Sequence, residues 1–267
     1  MKTYNVKRGQ VGQSMAEFSI SLPFLAPIVL VLIMLLIQWA TIYRDKMTLN
    51  AATFDAVRSG TLNHGSMAKM REALAQGMTP LFMRDESSGV EVGRAYLLAR
   101  AYVEGSNMLG VGAQIKQLHP TNEVYEKHKV LRKDGSGNVW YEIPNDNLMY
   151  RNPVQKHIKG DVFLNVQDAN LLKIEVNWCK KLEVPIANWV IGKILTFTDV
   201  SINPFDAKYV NYVPSNHQLG CNALGLVSGA DGTFNINEYY ISLKSYAIAR
   251  MQTPYRQQDS SIPDIKD

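Results

Sequence analysis

From Phe18 to Tyr43 the chain carries no charged residue. A helix needs about 20 mostly apolar residues to cross a bilayer core of roughly 30 Å. The run Phe24-Leu25-Ala26-Pro27-Ile28-Val29-Leu30-Val31-Leu32-Ile33-Met34-Leu35-Leu36-Ile37 sits inside that stretch and supplies the apolar length. Trp39 and Tyr43 follow where an aromatic belt belongs, and Arg44-Asp45-Lys46 ends the run. Pro23 and Pro27 should bend the first half or loosen its backbone bonds. The pattern predicts a transmembrane segment from Phe18 to Tyr43, with membrane lipid around it. Lys2, Lys7 and Arg8 precede it, and the first 16 residues hold no acid. Basic flanks stay inside, so the N-terminus is expected in the cytoplasm and residues after about 44 outside it. A cleaved secretory signal is the competing reading. Its apolar core is usually shorter, and Ile37-Gln38-Trp39-Ala40 is a poor cleavage site.

Glu17 stands immediately before the run. A carboxylate there is costly to desolvate unless it is paired or sits wetted at headgroup level. Its surroundings read Arg8-Gly9-Gln10-Val11-Gly12-Gln13-Ser14-Met15-Ala16-Glu17-Phe18. A short basic leader ends in glycine, four residues follow, and then come Glu, an aromatic and a long apolar helix. This resembles the processing site of type IV prepilins. Residues 12–25, with Glu17-Phe18 followed by Leu22-Pro23, are more narrowly similar to the start of TadE-like proteins. Those are the pseudopilins, or minor pilins, of tight-adherence (Flp-type, type IVb-like) pilus systems. Ala249-Arg250-Met251-Gln252 is similar to the close of some longer members. The specific resemblance covers roughly residues 8–58, and the rest matches only in layout.

The resemblance implies cleavage by a prepilin peptidase between Gly12 and Gln13, which makes Glu17 the fifth mature residue. It implies a bacterial inner-membrane protein with a periplasmic domain. Its implied partners are the prepilin peptidase, the major pilin, other minor pilins and inner-membrane pilus assembly proteins. The new α-amine, with an ordinary pKa of roughly 7.7–8.0, could neutralise the Glu17 carboxylate of a neighbouring subunit in low dielectric. Each charge is costly to bury alone.

Helical spacing continues beyond the run through Met47, Ala51, Phe54 and Val57 or Arg58, and Ser59-Gly60 reads as a stop. A second helix is expected from Ser66 to Gln76, with Met67, Met70 and Leu74 on one face. A third should start at Ser88, where Glu91 completes a capping-box pattern. It should present Leu97, Leu98, Ala101 and Tyr102 and end at Gly105. Val139–Ile143 is a short strand candidate, and strands follow at Leu171–Trp178, alternating apolar and polar from Leu172 onward, and at Tyr239–Ile248, which alternates likewise. Asp134-Gly135-Ser136-Gly137-Asn138 and Gly229-Ala230-Asp231-Gly232 are turn sequences. The expected class is α+β: a long N-terminal transmembrane helix, then an exported domain whose second and third helices pack on a small antiparallel sheet. The organisation expected is 1–12 leader, 13–59 transmembrane helix and stem, 60–253 periplasmic domain and 254–267 flexible tail.

Cys179 and Cys221 are the only cysteines. They would pair in an oxidising compartment and stay as thiols in a reducing one. Cys221 is expected in a Gly-Cys-Asn loop. His64, His119, His128, His157 and His217 show no metal-ligand spacing. Asp134, Ser136, Asn138 and Glu142 only loosely approach a calcium loop, and a hairpin turn explains them. No phosphate loop, HExxH or Gly-x-Ser-x-Gly occurs, so no enzyme activity, metal or cofactor is expected. The net charge is +4, and basic residues never run beyond a pair such as Lys180-Lys181. Nucleic acid is therefore not an expected partner. The leading function is a pseudopilin taking part in pilus assembly. The alternative is a single-pass binding or scaffold protein of the cell envelope that does not polymerise.

Overall fold

The structure, a computed structural model, describes residues 13–84, 88–133, 135, 137–196, 216–227 and 239–257. The leader, Asp134, Ser136, the expected turn at 229–232 and the last ten residues lie outside the described residues.

Helix α1 runs unbroken from Gln13 to Leu62, through both prolines. At 1.5 Å per residue its 50 residues span about 75 Å. Its most apolar stretch has no buried residue. Among the described residues it is the one helix long and apolar enough to cross a membrane. At Gln38 its surroundings change. Gln38, Asp45, Leu49, Ala52, Ala56 and Val57 are all 0 % exposed. Their spacing puts them on one side of the helix. That side is the spine of the domain core.

Helix α2 (Met67–Met78) folds back antiparallel along α1. A Cβ on Gly60 would lie 2.9 Å or less from Met70, and one on Gly77 would lie 2.6 Å from the Ala52 Cβ. Gly60 is thus a packing glycine, not the expected stop; a Cβ there would also meet Leu172. The reversal instead uses His64 and Gly65, both at positive φ. Helix α3 (Gly89–Leu109) begins as expected, with the Ser88 side chain accepting from the Glu91 N–H. It runs past Gly105 to Leu109 and stops at Gly110, φ 70°. Its buried face is also not the expected one. Ala95, Ala99 and Val103 are buried, while Leu97, Leu98 and Ala101 are exposed. Of the expected residues Tyr102 packs inward, with its ring 4.7 Å from Trp178.

Strand β1 (Gln114–His119), helix α4 (Asn122–His128) and two hairpins follow. The hairpins are β2 (Val130–Lys133) with β3 (Val139–Glu142), and β4 (Lys156–Lys159) with β5 (Val162–Leu164). After the short α5 (Val166–Ala169) comes the long β6 (Leu171–Lys181), then α6 (Ala187–Thr196), α7 (Asn216–Val227) and β7 (Tyr240–Arg250). The main sheet is antiparallel in the order β1-β6-β7. β6 and β7 pair from Leu171↔Arg250 to Lys181↔Tyr240. Alternation turns Leu172, Ile174, Val176 and Trp178 inward, opposite Leu243, Ser245, Ala247 and Ala249. The helix packed most extensively on β6 and β7 is α1 itself, not the expected second and third helices. The α+β class stands, with the folded domain built around the second half of α1.

The chain beyond Thr253 is not loose up to Gln257. Tyr255 is 1 % exposed, and its backbone bridges Ile143. Its hydroxyl meets the Gln117 side chain at 3.0 Å, and its ring lies edge-on to Tyr125. A Cβ on Gly65 would strike that ring. The polar residues that suggest a tail surround one aromatic plug. Tyr255→Ala should therefore lower the unfolding free energy by about 3–5 kcal/mol, measured by denaturant titration in detergent. Tyr255→Phe, which loses only the hydroxyl pairing, should cost about 1 kcal/mol.

Candidate functional site

The residues that join the apolar half of α1 to the folded half form a buried polar arrangement. Gln38 is fully buried, and its Oε1 accepts the Val184 N–H at 2.9 Å. Its amide also reaches Thr41 Oγ1 at 3.3 Å. Two turns on, Asp45 is also fully buried. Lys180 Nζ lies 2.9 Å from Asp45 Oδ2, and Arg44 Nε lies 3.3 Å from Oδ1. Lys180 also meets Glu183 at 2.9 Å. Burial works against the Lys180 charge, but the bonds and charges of Glu183 and Asp45 outweigh it and hold the ammonium above the usual lysine range. A carboxylate with no solvent-exposed surface needs these cations, because an unpaired buried charge is expensive.

These contacts set β6 antiparallel to α1. Leu172 lies against Gly60, Lys180 against Asp45 and Val184 against Gln38. β7 returns alongside, with Ser245 donating to Asn50 and Thr253 to the Thr61 carbonyl. On the far side of α1, Trp39, Tyr43, Met47, Ala51 and Phe54 are exposed. Steps of three and four along a helix make them one stripe, continuous with the apolar first half and closed by exposed Arg58.

Glu17 is exposed near the start of α1, and its carbonyl accepts the Ser21 hydroxyl at 2.9 Å. Gln13 is the first helical residue, and Gly12 lies outside the described residues. Of the expected transmembrane stretch, 18–37 has no fully buried residue, Val31, Met34 and Leu35 are half-buried, and Gln38 is the first fully buried position.

Cys179 and Cys221 are bonded, with Cα atoms 5.4 Å apart and 42 positions apart in sequence. Closing such a loop contributes about 4 kcal/mol in the chain-entropy model. Cys221 lies in α7 rather than in a loop. His217, one helical turn earlier, puts Nδ1 3.6 Å from the Cys221 sulfur. With the two sulfurs it forms a group whose ligand atoms lie within 4.8 Å of one another. The His-x3-Cys spacing on α7 was the available signal for this neighbourhood. The imidazole is occupied at both nitrogens: Nε2 contacts the Gly112 carbonyl at 3.0 Å and Nδ1 contacts Ser242 Oγ at 2.8 Å. A carbonyl only accepts, so Nε2 holds the proton and Nδ1 accepts from Ser242. Burial lowers its pKa below the usual histidine value. The ring pins α7 to the sheet.

The polar group suggestive of a calcium loop resolves otherwise at Glu142. Its carboxylate meets Arg132 and Arg256, each at 3.2 Å, and accepts from the Trp140 indole at 2.7 Å. That is an ion-paired clamp on the β2–β3 hairpin and on the chain's last described residues.

Comparison of the chain with protein families, curated proteins and solved structures yields no match.

Lys180→Met should leave Asp45 buried with only Arg44 beside it and lower stability by about 3 kcal/mol or more. The double change Asp45→Asn with Lys180→Met should recover most of the loss. Denaturant midpoints of the detergent-solubilised chain measure both. Equal stability of Lys180→Met and the native chain would show that the pair does not hold the domain to α1.

Proposed function

We propose that the chain is a TadE-like pseudopilin, a minor pilin that takes part in assembling a tight-adherence type pilus. The observation that carries this reading is the division of α1. Its first half is apolar and has no fully buried residue, its second half is the core of a folded domain, and one exposed apolar stripe from Trp39 to Phe54 continues from the first half. Such a helix can sit in lipid alone and pack against a neighbouring subunit through that stripe without unfolding its domain.

In this reading the prepilin peptidase cuts between Gly12 and Gln13 at the cytoplasmic face. The membrane segment is Phe18 to Ile37, 20 residues or about 30 Å of helix, which fits one bilayer core. It is shorter than the Phe18 to Tyr43 stretch because the protein itself covers one face from Gln38 on. The domain lies in the periplasm of a bacterial inner-membrane protein, and the Cys179–Cys221 bond supports an oxidising compartment. Glu17 meets the α-amine of Gln13 in the next subunit and sets axial register. The role is structural rather than catalytic. Its partners are the peptidase, the major pilin, other minor pilins and inner-membrane assembly proteins.

Intact mass and N-terminal sequencing of membrane-extracted protein test the reading. The mature chain should begin at Gln13. A chain that still begins at Met1 with the peptidase present would overturn the proposal. Glu17→Gln should leave membrane insertion and processing intact while reducing incorporation into pili at least tenfold; unchanged piliation would remove the register role.

A further inference from the structure

We infer that α6 is a second membrane contact: an amphipathic helix lying on the periplasmic bilayer surface beneath the domain, with Trp189 in the headgroup region. The inference rests on the reading of α1 as a membrane helix, and it concerns residues which that reading does not use.

The placement comes from contacts on either side of α6. β6 runs down α1 from Gly60 to Asp45, and Val184 then bonds Gln38, the first buried residue above the bare apolar stretch. The chain turns at Pro185-Ile186, with Ile186 at φ 66°, and enters α6 three residues after Val184. α6 packs on α1. Tyr239, at the foot of β7, closes the same level. Its carbonyl accepts the Leu182 N–H, and a Cβ on Gly192 would strike its ring. Leu182, Gln38, Tyr239 and Gly192 thus hold α6 across the end of the domain that faces the membrane, and no farther from the bilayer than Gln38.

The composition fits that position. Ala187 and Gly192 are buried against the domain, whereas Ile186 and Trp189 remain 45 % and 55 % exposed. An exposed indole beside an exposed isoleucine suits the interface, where Trp places its ring among headgroups. Trp39, exposed and one residue beyond Gln38 on α1, marks the same level from the other element. Two indoles at one height on two helices would fix the depth of the span and the tilt of the domain. A single-pass helix alone leaves that tilt unset.

The test uses the full chain with Trp39→Phe and Trp140→Phe, so that Trp178 and Trp189 emit. Trp178 is 3 % exposed in the core and serves as the internal reference. The chain is placed in phosphatidylethanolamine–phosphatidylglycerol vesicles whose acyl chains carry bromine either near the headgroup or near the terminal methyl. A companion chain that also carries Trp189→Phe reports Trp178 alone. Shallow bromine should reduce the emission almost to the companion's value, and deep bromine should reduce it much less. Emission unchanged by either bromine position, in a chain that still floats with vesicles after a carbonate wash, would overturn the inference and leave the α1 anchor standing. A chain that fails to float would overturn both. Trp189→Asp should additionally weaken shallow insertion of the domain without releasing the chain, read as faster cleavage of the domain by added protease; unchanged cleavage would count against the α6 contact.

Discussion

The structure depends on one helix serving two environments. Up to Ile37, α1 offers apolar side chains that no part of the described fold buries; from Gln38 on, its inner side is the core. The transition is made by polar groups. Gln38 satisfies the Val184 backbone donor just beyond β6, and fully buried Asp45 holds Lys180. Polar partners at a seam of this kind fix register as well as adding energy. An apolar seam could slide by one turn at small cost, but a displaced Asp45 would be a buried charge without its cation. The sheet therefore has one height on the stem, and every element attached to it inherits that height.

That geometry explains why the stem and the domain cannot be treated as separable modules. Leu49, Ala52, Ala56 and Val57 belong to α1 and lie in the same core cluster as Met70, Leu74, Leu172 and Trp178. Cutting the chain at residue 60 would remove the central helix of the domain, not a linker. On the proposed function, force or contact at the bilayer reaches the sheet through packed side chains without a flexible joint. The disulfide adds a second constraint at the far face of β6, tying Cys179 to α7.

Much of this was legible in sequence, and the failures share a cause. The alternation in β6 and β7, the Ser88–Glu91 cap and the unbroken stem follow from local periodicity and local hydrogen bonding, which a sequence displays directly. What it does not display is which apolar face meets protein. Leu97 and Leu98 look like the core of α3, yet the small residues Ala95 and Ala99 are buried there and the leucines are exposed. Met47 and Phe54 likewise mark the open side of α1. Gly60 resembles a stop signal because glycine ends helices, but here the missing side chain makes room for Leu172 and Met70. Asp45 looked like part of a charged flank, and only the partner 135 positions later, Lys180, reveals it as a buried ion pair. Tyr255 stands in a polar segment whose one aromatic residue decides its fate. In each case the deciding partner is distant in sequence.

The central claim is that lipid surrounds α1 up to Ile37 and protein takes over one face at Gln38. Photo-crosslinking in living cells tests it most directly, with benzoylphenylalanine placed singly at Leu25, Ile33, Gln38 and Phe54. The account predicts lipid adducts at positions 25 and 33, an internal crosslink to the Val184 region at 38, and no lipid adduct at 54, about 25 Å of helix beyond Ile37. Lipid adducts at 54, or none at 33, would contradict it.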